Sequence, residues 1–140
     1  FEKANIFAEY LKDNLYLNNI DKIYIEKTLD RFIPGMSSAK TIILLSKFNA
    51  VLAWICHKNY GITPKFVDVK TARAALGIKV PKGEKAKDIV VEHLLAAEPG
   101  FEVEYTRHGN PRPREFDRAD AIVIAKAGYK LCQREKNLES

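Results

Sequence analysis

The chain has 140 residues, with 23 Lys and Arg against 18 Asp and Glu and a formal net charge of +5; that is the size of one domain, and the basic balance favours acidic partners, nucleic acid first. With 46% hydrophobic and 29% charged residues, intrinsic disorder and collagen-like repeats are excluded. Two cysteines, Cys56 and Cys132, stand without a C-x-x-C pair or a His/Cys cluster, so no structural zinc is expected and the setting reads as reducing, intracellular and cytoplasmic.

The chain opens at Phe1 on an amphipathic segment with Glu2, Lys3 and Glu9. This is unlike a secretory signal and reads as a start that has been cut. Ile6, Phe7, Tyr10, Leu11 and Leu15 recur at helical spacing and predict a helix over 2–17. Residues 20–27 alternate as a strand does, Ile23 and Ile25 on one face, Tyr24 and Glu26 on the other. After a turn with Pro34 and Gly35, Ser37 or Ser38 caps a long helix running to about His57. Ile42, Leu44, Leu45, Phe48, Val51, Leu52, Trp54 and Ile55 make that helix apolar on more than one side, which predicts a homodimer through residues 38–57. Ser46, Lys47 and Asn49 interrupt it, short of the ~20 apolar residues of a membrane span, so no such span is expected.

Further along, 65–69 is predicted as a short strand, 70–76 as a short helix stopped by Gly77, and 84–97 as a helix closed by Pro99 and Gly100. Residues 98–115, with Pro111 and Pro113, read as a loop that orders on binding, and the last helix runs from Asp117 to about Arg134. This order indicates a single α/β domain over 1–140, a mixed sheet flanked by helices with a mostly parallel pair of strands. Two strands are too few to cover four or five amphipathic helices, which predicts further strands upstream.

Three carboxylates are candidates for chemistry: Glu26 on its strand, and Asp117 and Asp120 in Asp117-Arg118-Ala119-Asp120-Ala121. A spacing of three sets the two aspartates side by side on one helical face. Such acids call for a cation, and oxygen ligands suit Mg²⁺ or Mn²⁺, as in two-metal phosphodiester cleavage. Taken singly, each has a plainer reading: Asp117 as an N-cap, Asp120 as a first-turn acid, Glu26 as an edge-strand charge. Lys70, Arg73, Lys85 and Lys87, together with Arg107, Arg112, Arg114 and Arg118, are candidates for phosphate binding or simply a solvated face. Leu29 and Phe32 read either as wedges for a nucleic-acid junction or as core.

Taken together, Ile23-Tyr24-Ile25-Glu26, the long apolar helix, Val69-Lys70-Thr71-Ala72-Arg73 ending in Gly77, Lys87 followed by Ile89-Val90, and the closing Asp117-Arg118-Ala119-Asp120-Ala121 resemble the RuvC family of Holliday junction resolvases over about residues 5 to 130. The 100–115 loop looks like that of a phage or otherwise atypical branch. The resemblance implies a ribonuclease H-like fold, a homodimer, Mg²⁺ (or Mn²⁺) and paired nicks in four-way DNA junctions. It implies metal binding and catalysis by Glu26, Asp117 and Asp120, DNA contact by Lys85, Lys87 and either Lys70 or Arg73, and a junction probe at Leu29 or Phe32. The family's fourth carboxylate, an Asp on the first strand, has no counterpart, and Glu9 and Asp13 on the first helix do not replace it. A chain in that form is expected to bind metal poorly and to cut slowly or not at all; the alternative is a module that clamps branched nucleic acid without cleavage.

Overall fold

Capping and small-residue packing, rather than strand pairing, organise this chain. The computed structural model describes residues 1–14, 19–29 and 38–139, so Leu15, Pro34, Gly35, Ser37 and the candidate wedge Phe32 lie outside the described residues. The chain divides into two compact units, 1–66 and 67–140.

Unit 1 contains α1 (Glu2–Asp13), β1 (Tyr24–Glu26), α2 (Ala39–Tyr60) and the first two residues of β2 (Lys65–Val67). α2 begins because the Ser38 hydroxyl accepts from the Thr41 N–H at 3.1 Å. It ends because Gly61 takes a left-handed φ of 67° and donates its N–H to the His57 carbonyl at 2.7 Å, a conformation that glycine reaches without a Cβ penalty. α1 packs on α2, with the Tyr60 hydroxyl donating to the Leu11 carbonyl at 3.3 Å. The helix α2 buries only Ile55 and Cys56, while Ile43, Leu44, Leu45 and Trp54 are exposed, Leu44 by 65%. At 22 residues, α2 is by length and composition apolar enough to cross a membrane, which differs from the sequence expectation. Lys47 is the one full charge from Thr41 to Cys56, and Ser46 and Asn49 are too weakly polar to offset the aliphatic residues around them.

The expected α/β, ribonuclease H-like mixed sheet is not what forms. Helix makes up 65% of the described residues, and the only sheet among them pairs β1 with β2, two short parallel strands. Lys65 donates to the Ile23 carbonyl at 3.0 Å. The strands stay at three residues each because their flanks choose otherwise. Pro64 has no N–H to extend β2 backward. At its other end the Asp68 carboxylate accepts from the N–H groups of Lys70 and Thr71 at 2.9 and 3.0 Å, turning the chain into a helix directly after Val67.

Unit 2 contains α3 (Val69–Leu76), α4 (Ala86–Ala97) and α5 (Pro113–Glu139). α3 closes at Gly77, φ 74°, whose N–H reaches Ala74 while that of Ile78 reaches Arg73. α3 and α4 both pack on α5. Ala72, Ala119 and Ala127 are fully buried, with Val90, Val91, Leu94, Val123 and Ile124 around them; alanines at the contact let helix axes approach closely. Between α4 and α5 the 101–112 segment is a closed hairpin rather than an open loop. Tyr105 pairs with Pro111 in an antiparallel bridge, Thr106 donates to Asn110 at 2.8 Å and Arg112 to Glu104 at 2.9 Å.

Candidate functional site

α5 starts at Pro113, four residues before Asp117, because proline suits the first helical position, where its missing N–H costs nothing. Asp117 is therefore not an N-cap, and Asp120 is not a first-turn acid; both stand in the second turn or beyond. Asp117 is exposed and Asp120 half-buried. Burial pushes the Asp120 carboxyl above the ordinary aspartate value, Lys87 and Arg73 pull it back down, and Asp117 pushes it up. Three charged side chains thus act on the Asp120 carboxylate: Arg73 from α3, Lys87 from α4 and Asp117 from α5 itself.

Of Lys70 and Arg73, it is the Arg73 charge that reaches Asp120. Arg73 is half-buried, its Nε donating to the Val69 carbonyl at 3.3 Å, whereas Lys70 is exposed at the start of α3 and acts on Asp68. Lys87 stands exposed with its ammonium 6.0 Å from the centroid of the Phe116 ring, one residue before Asp117. Lys85 is exposed at the N-cap of α4 and makes no side-chain cap. Glu26 and Leu29 belong to unit 1. Glu26 is exposed at the end of β1, its carbonyl accepting from the Asn49 amide at 2.9 Å, and Leu29 is half-buried.

Among the described residues, no three His, Cys, Asp or Glu side chains group to hold a metal ion. The Asp117–Asp120 pair still fits Mg²⁺ chemically, because that ion is commonly held by one or two carboxylates with waters and substrate phosphates completing its shell. A cation there also relieves the destabilised negative charge of Asp120.

Glu115 is a residue that the sequence reading missed. It is 1% exposed, with Arg114 Nε donating to Oε1 at 3.3 Å and an Arg118 nitrogen 3.0 Å from Oε2 as an ion contact. The signal lay in Arg114 and Arg118 flanking an acid at one and three residues, but it becomes legible only once the helix is known to start at Pro113. Comparison of the chain with protein-family models, with curated proteins and with solved structures returns no match.

Proposed function

We propose that this chain acts on nucleic-acid phosphodiesters, as a Mg²⁺- or Mn²⁺-dependent, structure-selective DNA endonuclease that resolves four-way junctions. The observation that carries this reading is the meeting of Asp117 and Asp120 with Arg73 and Lys87 on three packed helices. Acids alone would repel a phosphate, and bases alone would bind it without chemistry. Here Arg73 and Lys87 attract and orient the phosphate, while Asp117 and Asp120 would hold a divalent cation, whose chemistry would be to lower the pKa of a water and to offset charge on the leaving oxygen. The net charge of +5 draws the polyanion towards the site. The exposed apolar residues of α2 support the homodimer part of the reading, since paired nicks need two sites.

A second reading, binding of branched nucleic acid without cleavage, is favoured by Arg73 and Lys87, which attract a phosphate with or without a cation. The test is incubation of the wild type and Asp120→Asn with a labelled four-way junction and the matching linear duplex, in Mg²⁺, Mn²⁺ or Ca²⁺. Slow, junction-only nicks that vanish in Asp120→Asn while binding persists are expected, as is a rise in melting temperature with Mg²⁺ for the wild type alone. Binding in Ca²⁺ without nicks in Mg²⁺ or Mn²⁺ selects the second reading, and no binding at low salt overturns both.

A further inference from the structure

Four arginines stand in or beside the 101–112 hairpin, and their partners sort them into two groups. Arg112 pairs with Glu104 at 3.6 Å, Arg114 with Glu104 and with buried Glu115, and Arg118 with Glu115 at 3.0 Å. Arg118 also donates to the Glu102 carbonyl and lies 4.9 Å from the centroid of the buried Phe101 ring. Two carboxylates, Glu104 and Glu115, thus hold these three guanidinium groups in place, and together they stitch the hairpin to the start of α5.

Arg107 differs. It pairs with no carboxylate among the described residues; instead its Nε donates to His108 Nε2 at 3.0 Å. Because Nε2 accepts, the proton of a neutral His108 sits on Nδ1. The two side chains then offer outward only donors, the terminal guanidinium N–H groups and one imidazole N–H. The turn that carries them is fixed by the Thr106–Asn110 bond and by Gly109, whose φ of 78° is a glycine conformation and whose N–H reaches the Thr106 carbonyl at 3.0 Å. A pre-set, cationic, donor-only tip matches a phosphodiester, which presents only acceptor oxygens and suits the guanidinium fork.

We infer that the 101–112 hairpin is a preformed arm whose Arg107 and His108 hold a backbone phosphate of the nucleic acid engaged at Asp117 and Asp120, while Arg112, Arg114 and Arg118 fasten the arm and do not touch the strand. This rests on the nucleic-acid reading above. It is tested by fluorescence anisotropy of a labelled four-way DNA junction in Ca²⁺ across a salt series, with the wild type, Arg107→Ala, Arg107→Lys and Arg112→Ala. Loss of one phosphate contact lowers the slope of log affinity against log salt by about 0.9. That loss is expected for Arg107→Ala, with the slope retained in Arg107→Lys and in Arg112→Ala. If the wild type binds and Arg107→Ala keeps its slope, or if Arg112→Ala loses as much as Arg107→Ala, the arm is overturned alone. A wild type that fails to bind at the lowest salt overturns the arm together with the nucleic-acid reading.

Discussion

Along α5, Ala119, Val123, Ile124, Ala127 and Cys132 are buried in a stripe, whereas along α2, which is richer in aliphatic residues, Ile43, Leu44, Leu45 and Trp54 face water and only Ile55 and Cys56 are buried. The contrast shows that apolar content does not make a core. Among the described residues, α5 packs chiefly on two helices, α3 and α4, set against small residues at helical spacing; α2 packs chiefly on α1, which contributes Ala4 as its single buried residue. Apolar surface without a second neighbour stabilises nothing until another surface meets it.

The sharpest way to break this contrast is to truncate one leucine on each side of it. Leu94→Ala in α4 is expected to cost about 2–5 kcal/mol, since Leu94 is fully buried and leaves a cavity. Equal losses for Leu94→Ala and Leu44→Ala in urea unfolding would end the comparison. Next come the caps. Asp68→Ala is expected to cost about 1 kcal/mol, and more than Ser38→Ala, because Asp68 accepts two backbone bonds where Ser38 accepts one. Hydrogen bonding from Thr71 holds the Asp68 carboxyl below the ordinary aspartate value, against a burial effect, with Lys70 adding to the lowering. Its contribution is therefore present above the ordinary carboxylate range and lost as pH falls through the lowered value, so the two proteins should converge in melting temperature in acid.

Asp120 has the opposite sign. Its carboxyl is raised, chiefly by burial, so ionisation opposes folding. The stability of the wild type relative to Asp120→Asn should fall as pH rises from the ordinary carboxylate range through the raised value; a melting-temperature difference that is flat with pH would remove the case for a strained acid. The smallest effect on the fold is expected at α2, where Leu44→Ser should change monomer stability by no more than about 0.5 kcal/mol. The same substitution is expected to shift sedimentation equilibrium towards monomer, which would connect the bare face of α2 with self-association.

Much of the chain's punctuation was legible in the sequence because it depends on local chemistry. Ser38, one of the two serines expected to cap it, begins α2, Gly77 ends α3, and the break before α4 falls within two residues of its expected place, whereas α2 runs on past the expected His57 to stop at Gly61. The strands were overextended because β-branched residues at 20–27 and 65–69 signal only a preference, while Pro64 and the Asp68 cap decide where pairing stops. The start of α5 was misplaced because Pro111 and Pro113 both read as loop residues, although the second is the helix's first residue. With the helix expected from Asp117, Glu115 falls in a loop, and the ion pairs that Arg112, Arg114 and Arg118 make with Glu104 and Glu115 are not visible in the sequence. The acids and bases of the candidate site were visible as residue types, but the preference for Arg73 over Lys70 needed three-dimensional packing.

The 27-residue length of α5 implies a gradient of backbone opening. The amides around Ala119, Val123 and Ala127 lie under α3 and α4 and can exchange with solvent only when those contacts are lost. Burial within the helix ends at Cys132, and Leu138 is exposed. The closing turns can therefore unwind one at a time without disturbing the core, so deuterium should enter α5 from its C-terminal end and arrive last beside the acid pair.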